Sequence, residues 1–179
     1  MQLNTFKTKE MILGRTDSTS IPSLSTPAGP IQRVTTFKLL GLHLDASLSW
    51  TTHINTVVSK ASKRLYFLKQ LKRAGVPRYQ LLHFYTAVIR PVLEYASPVW
   101  RYPSLALNPT NWNQCKNEQY ISSSLFSDTR GMSYPNVLFV ANLNSLKDRR
   151  DRLSRSFFHI IYKPDSCLHH LLPPSRDTS

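Results

Sequence analysis

The residues best placed to do chemistry are six cations within one short stretch: Lys60, Lys63, Arg64, Lys69, Lys72 and Arg73. Ammonium and guanidinium groups at helical spacing engage phosphate oxygens without reading base sequence. Aromatic residues interleave with them at Tyr66, Phe67, Tyr79, Phe84 and Tyr85. Stacking on bases is one use for such rings, although aromatic residues at helical spacing are ordinarily core. Other chemistry is weaker. Ten acidic residues are scattered, and none pairs at a spacing that suggests acid–base catalysis. Asp148 and Asp151 sit in an arginine-rich helical stretch, where pairing with Arg152 and Arg155 at i,i+3/i+4 is ordinary. Cys167, His169 and His170, with Cys115 or His159, form a C-x-H-H pattern too tight for a usual structural zinc site. A packed cysteine and surface histidines fit better, and no metal site is expected. Five glycines stand far apart, so there is no glycine-rich phosphate loop.

The cations need a scaffold, and residues 51–100 supply one. Ile54, Val57, Val58, Ala61, Leu65 and Leu68 fall within about 100° on a 3.6-residue wheel. Lys60, Lys63 and Phe67 lie opposite, with Arg64, Lys69 and Arg73 spread between. Thr51 or Thr52 suits the N-cap. Gly75 suits the helix end and Pro77 the first turn of a second helix. In that second helix Leu81, Tyr85, Val88 and Val92 make one stripe, widened by Leu82, Ile89 and Leu93. His83, Arg90 and Glu94 share its far side. The pair carries eight Lys/Arg against a single acid, Glu94, a net +7 of the chain's +13; residues 1–50 carry +2 and 101–179 carry +4. Positive charge concentrated on one element points to a polyanionic partner, against the alternative of a merely solvated basic face. A helix-turn-helix is the lesser reading of this pair, because Pro91 interrupts the second helix where a recognition helix would continue.

The rest of the chain is read around that pair. The stretch 10–13 predicts a short strand after the basic KTK, residues 15–30 a Ser/Thr/Pro loop, and 31–44 a small hairpin or bent strand. Gly41 permits a bulge or a close backbone approach. The first 30 residues are expected to be mobile. Residues 101–113 predict a loop, 114–126 a helix, 127–134 a loop and 135–143 a short helix. From Asn144, Leu146, Leu153, Phe157, Ile160 and Ile161 recur at helical spacing, with Lys147, Arg149, Arg150, Arg152 and Arg155 on the outside. At 179 residues with 41% hydrophobic content, one domain is the prior. Two cysteines make no disulfide framework and favour a reducing compartment. No run of 18 apolar residues suggests a membrane span, and the N-terminus lacks a signal-peptide core, so an intracellular site, nucleus or cytoplasm, is expected.

The strings FKLLGLHLDASLSWTTHI, SKASKRLYFLKQLKRAGV and LLHFYTAVIRPVLEYASPVW, followed by SLKDRRDRLSRSFF and SCLHHLLP, resemble the C-terminal part of reverse transcriptases from non-LTR (LINE-type) retrotransposons. The resemblance implies a predominantly helical α+β fold, in which a small palm-edge hairpin precedes a thumb-like helical bundle. Residues 1–50 would be a palm-edge remnant with the 15–30 loop, 51–100 a thumb-like pair, and 101–179 a downstream helical segment, irregular over 101–135 and frayed at its end. LNTFKTKEM resembles the palm motif whose lysine lies near the incoming nucleotide, which implies a catalytic Lys7, with Lys9 as substitute. FKLLGLHLD resembles the primer grip, which implies Phe37, Leu39, Leu40 and Gly41 at a primer terminus. The thumb would set Lys60, Lys63, Arg64, Lys69, Lys72 and Arg73 along a template–primer duplex.

The paired aspartates that hold magnesium in that family have no counterpart here, and residues 103–135 depart from the pattern. The resemblance therefore implies a fragment of an RNA-directed DNA polymerase, inactive alone and without its own cofactor. Template–primer nucleic acid would be its partner, along with the missing polymerase portion. The alternative is a stand-alone basic nucleic-acid-binding protein or a vestigial product.

Overall fold

The computed structural model describes Asn4 and residues 7–14, 20–27, 29–101, 134–140 and 142–173. Its first part is β-rich but sparse. Strands β1 (Lys9–Glu10), β2 (Ser25–Thr26), β3 (Gly29–Pro30), β4 (Gln32–Arg33), β5 (Thr36–Leu39) and β6 (Leu42–Asp45) form three separate two-stranded sheets: β1 parallel to β4, β2 antiparallel to β3, and β5 antiparallel to β6. The strand expected over 10–13 is confined to Lys9–Glu10. Glu10 there accepts from the Arg33 guanidinium at 3.0 Å, and its backbone carbonyl accepts from Val34 at 2.8 Å. The Arg33 hydrogen bond, outweighing partial desolvation, holds the Glu10 carboxyl below the usual range.

The β5–β6 hairpin follows from its two-residue turn. Leu40 and Gly41 have φ of 47° and 85°, the pair of positive values that a type I′ turn requires. Gly41 meets this at no steric cost, whereas Leu40 is strained. The Tyr95 hydroxyl donates to the Leu40 carbonyl at 2.6 Å and holds the turn in place. Gly41 does serve a close approach. A Cβ there would lie 3.4 Å from the Tyr95 ring. Leu40 stands in the turn and is 81% exposed, while Leu42 and Leu44 pack against Trp50, Ile54 and Trp100.

Helix α1 spans Thr51–Arg73. Neither Thr51 nor Thr52 caps it. Trp50 stands at the N-cap in a left-handed conformation, because Asp45 builds the turn that precedes it. The Asp45 carboxylate accepts from the Ser47 hydroxyl at 2.6 Å, the Ser49 amide at 3.1 Å and the Ser49 hydroxyl at 2.5 Å. Desolvation would raise its pKa, but these bonds bring it below the ordinary value. The other end of α1 closes as a Schellman motif around Gly75, with φ of 77°. Val76 N–H donates to Leu71 O at 3.1 Å and Gly75 N–H to Lys72 O at 3.0 Å. Pro77 takes the N-cap of α2 (Arg78–Phe84), one position ahead of the expected first turn.

The second helix continues through Pro91, which the sequence reading took as an interruption. A π-helical turn over Tyr85–Ile89 joins α2 to α3 (Arg90–Glu94), and the Arg90 amide reaches back to the Tyr85 carbonyl. Pro91 has no amide hydrogen and its ring crowds the carbonyl four residues back; a widened turn relieves both. The same turn shifts the apolar stripe. Leu81, Tyr85, Ile89 and Leu93 are buried at four-residue steps, while Val88 and Val92 are half-buried at the edge. These four pack with Val57, Ala61, Leu65 and Leu68 of α1 and with Leu146, forming the main core.

A helical turn over 97–101 brings Trp100 and Arg101 inward. Helix α4 (Tyr134–Val140) stands close to the short helix expected over 135–143. The helix expected over 114–126 lies outside the described residues, as do Cys115 and most of the irregular stretch 101–135. Helix α5 (Leu146–Tyr162) begins with Ser145 as N-cap, its hydroxyl accepting from the Asp148 amide at 3.0 Å. Here the expected facing is wrong. Leu146, Arg150, Ser154 and Ile161 are buried, whereas Leu153 and Ile160 are exposed. Arg149 and Arg150 point toward the helix pair, and the solvated outside keeps Lys147, Arg152 and Arg155. Among the described residues, no helix is long and apolar enough to cross a membrane. The architecture is thus mixed α+β with small sheets and a helical core.

Candidate nucleic-acid interface

The outward face of α1 follows from its inward one. With Val57, Ala61, Leu65 and Leu68 buried in the core, a 3.6-residue repeat turns Lys60, Lys63, Tyr66, Phe67 and Arg73 toward solvent, and all five are exposed. Phe67 is 60% exposed and its ring meets that of Tyr66 edge to face at 6.0 Å. Two hydrophobic rings held in water between lysines are the unusual part of this surface. Tyr79, at the start of α2, is also exposed, while Phe84 is half-buried and Tyr85 lies in the core.

The six cations singled out by sequence do not act alike. Lys60, Lys63 and Arg73 extend from the outer face. Arg64 is half-buried, and its guanidinium donates to the Val88 carbonyl across the helix pair. That carbonyl belongs to the π-helical turn, so Arg64 braces the irregular segment as well as carrying charge. Lys69 and Lys72 are half-buried and have interactions of their own. Beside Arg64 a groove of about 470 Å³ runs between α1 and the second helix, lined by Arg64, Phe67, Gln70, Leu71, Ala74, Phe84 and Val88.

The other sequence candidates lie elsewhere. Lys7 is exposed in a turn, its amide donating to Asn4 O at 3.2 Å, and Lys9 hydrogen-bonds Gln32. In the hairpin Phe37 is half-buried, Leu39 and Leu40 are exposed, and Gly41 is covered by Tyr95. Cys167 is a free, exposed thiol rather than a packed one, and His159, His169 and His170 are exposed. Among the described residues, no three His, Cys, Asp or Glu side chains gather to hold a metal.

Sequence reading missed two features. His53 is 2% exposed, wedged among His43, Trp50 and Trp100. Its Nδ1 accepts from the His43 amide at 3.4 Å, and its Nε2 is buried with no hydrogen-bond partner among the described residues. Burial, reinforced by the charges of His43 and Lys60, pushes its pKa down to about 4. The only hint in the sequence is its place beside Ile54, on the flank of the apolar stripe. The second feature is the junction with α5. Glu94, expected on the far side of the second helix with His83 and Arg90, accepts Arg149 Nη2 at 2.9 Å and pairs with Arg90 at 3.5 Å. The Arg150 guanidinium donates to the Leu93 carbonyl at 3.0 Å and lies 5.3 Å from the Trp100 ring. Arg101 pairs with Asp151 at 2.7 Å. Asp151 is therefore engaged by another helix, and Asp148 by the cap of its own, rather than by Arg152 and Arg155.

Comparison with known proteins corrects the family expectation. The family model for the N-terminal region of alkylated DNA repair protein alkB homolog 8 matches residues 50–90. No curated protein and no solved structure matches this chain. The matched segment is the stretch on which the thumb reading rested, and none of the comparisons supports a reverse transcriptase. The retrotransposon resemblance, and the polymerase-fragment function drawn from it, are therefore withdrawn. The physical reason lies in the strings themselves. An aliphatic stripe, interspersed Lys/Arg, a Gly–Val–Pro turn and a following apolar helix are what any basic helical hairpin requires. Lys7 as a catalytic residue, and Phe37, Leu39, Leu40 and Gly41 as a primer grip, had no support apart from that resemblance. The match covers α1, α2 and the π-helical turn, well under half of the chain, and it is a likeness of that segment.

Proposed function

We propose that this chain binds nucleic acid through its phosphate backbone, using the outward face of α1. The observation that carries the reading is the exposure of Lys60, Lys63 and Arg73 on one helix whose opposite face is fully committed to the core. Among the described residues none of these three forms an ion pair, and their charge faces solvent. Lys69 and Lys72 add to the local potential from the flanks, and Arg64 does so while bracing Val88. Lys147, Arg152 and Arg155 add a second exposed basic strip on α5. The likeness of residues 50–90 to a segment of a DNA repair protein supports a nucleic-acid partner. Phosphate contact of this kind positions a strand and reads no sequence.

The test is binding of the full chain to duplex DNA, duplex RNA and an RNA–DNA hybrid across a salt series. Log affinity should fall linearly with log salt, with a slope of about −3 to −5 for three to six phosphates engaged. Absence of binding to all three at about 50 mM salt, or a slope near zero, would overturn the reading.

A further inference from the structure

Resting on that phosphate-binding reading, we infer that the groove beside Phe67 receives an unpaired base, so that the preferred ligand is single-stranded nucleic acid. The groove lies between α1 and the π-helical turn and is walled by Phe67, Leu71, Phe84 and Val88. Phe67 presents its ring largely to solvent, at 60% exposure. An aromatic face at the mouth of an apolar groove is a stacking platform, and every base has a π-face to offer it.

The charge around the groove selects the occupant. Lys63 lies four residues before Phe67 and Lys60 seven, so both stand on the same flank of α1 as the groove. Phosphates held there direct an attached base toward Phe67. Among the described residues no acidic side chain lines the groove, and Gln70 and Arg64 set hydrogen-bonding groups at its edge. Gln70 can donate and accept, as a base edge requires, and Arg64 can only donate. A base within a duplex has both faces covered by its neighbours and cannot enter; an unpaired base can be splayed out and stacked.

The experiment measures fluorescence anisotropy of the full chain with a twelve-nucleotide single strand, an abasic strand of the same length, and a duplex, all at one salt concentration. The single strand should bind about 5- to 150-fold tighter than the abasic strand. Phe67→Ala should remove most of that difference, leave duplex and abasic binding unchanged, and leave the circular dichroism spectrum unchanged, since Phe67 is exposed. Phe67→Trp should restore it. Lys60→Gln with Lys63→Gln should weaken all three ligands. Equal affinity for the base-bearing and abasic strands, or single-strand binding indifferent to Phe67→Ala, overturns this inference while leaving phosphate binding intact. Failure of all three ligands to bind overturns the phosphate reading and this one together. Displacement of the single strand by an acidic amphipathic peptide but not by the abasic strand would assign the groove to a protein partner and overturn it as well.

Discussion

The α1–α2 junction and the α5 junction hold the same helical core by different physics. Between α1 and the second helix the contact is mainly aliphatic: Ala61, Leu65 and Leu68 pack with Leu81, Ile89 and Leu93, and the Arg64 bond to the Val88 carbonyl lies at the edge of the seam. Stability there scales with apolar area removed from water and changes little with salt. At α5 only Leu146 joins that core. The helix is otherwise held by Arg149 on Glu94, Arg150 on the Leu93 carbonyl and Arg101 on Asp151. These are directional bonds between charged groups, offset by desolvation, and they leave an uncompensated charge when one partner is removed. One junction is a seam that tolerates sliding of small amounts of shape; the other is a set of geometric locks that fixes register.

The difference can be broken at either side. The largest effect is expected in the seam. Leu68→Ala, at a site 1% exposed, should cost about 2–5 kcal/mol in urea unfolding, with little dependence on salt. Glu94→Gln should cost about 2–3 kcal/mol, because it strands the Arg149 and Arg90 guanidiniums. Proteolytic cleavage within α5 should accelerate in that variant and not in Leu68→Ala at matched stability. Equal acceleration in both would erase the distinction between seam and lock.

A third effect separates the His53 cluster from both junctions. The folded pKa of His53, about 4, lies below its unfolded value near 6.5. The unfolded chain therefore takes up a proton first as pH falls. This contribution is complete above pH 6.5 and is lost as pH drops toward 4. The loss should amount to about 3 kcal/mol, and His53→Leu should flatten the stability curve across that window. A curve unchanged by the substitution would show that other groups set the acid response. The smallest effect belongs to the hairpin. Tyr95→Phe removes the bond to Leu40 O and should cost about 1 kcal/mol, read from the same urea curves.

The parts of the fold legible in the sequence are those with a single dominant force. The α1 stripe and the turn at Gly75 were readable because burial and left-handed backbone each leave a simple pattern. The second helix was readable as a helix but not in its facing. A constant 3.6-residue period cannot anticipate a π-helical turn, though Pro91 marks where one is needed. Arg149 and Arg150 were assigned to solvent because charge is normally outside; their partners are 55 and 57 residues away in sequence, beyond any local pattern. The hairpin turn lacked the Asn-Gly signature, Leu40 occupying a position that favours glycine or asparagine. At the candidate interface the six cations were legible as a group, but their division was not. Arg64 braces a carbonyl of the π-helical turn 24 residues away, so its role could not be read from α1 alone. The family assignment failed for a related reason, since shared requirements of helical hairpins produce shared strings.

The central claim is that Lys60 and Lys63 meet phosphates, and it can be tested by the salt slope of the full chain against that of the Lys60→Gln, Lys63→Gln double variant. On duplex DNA each phosphate contact contributes about 0.9 to the slope, so the variant's slope should be shallower by about 1.8, with unfolding stability unchanged within about 0.5 kcal/mol. Identical slopes for the two proteins would contradict the account.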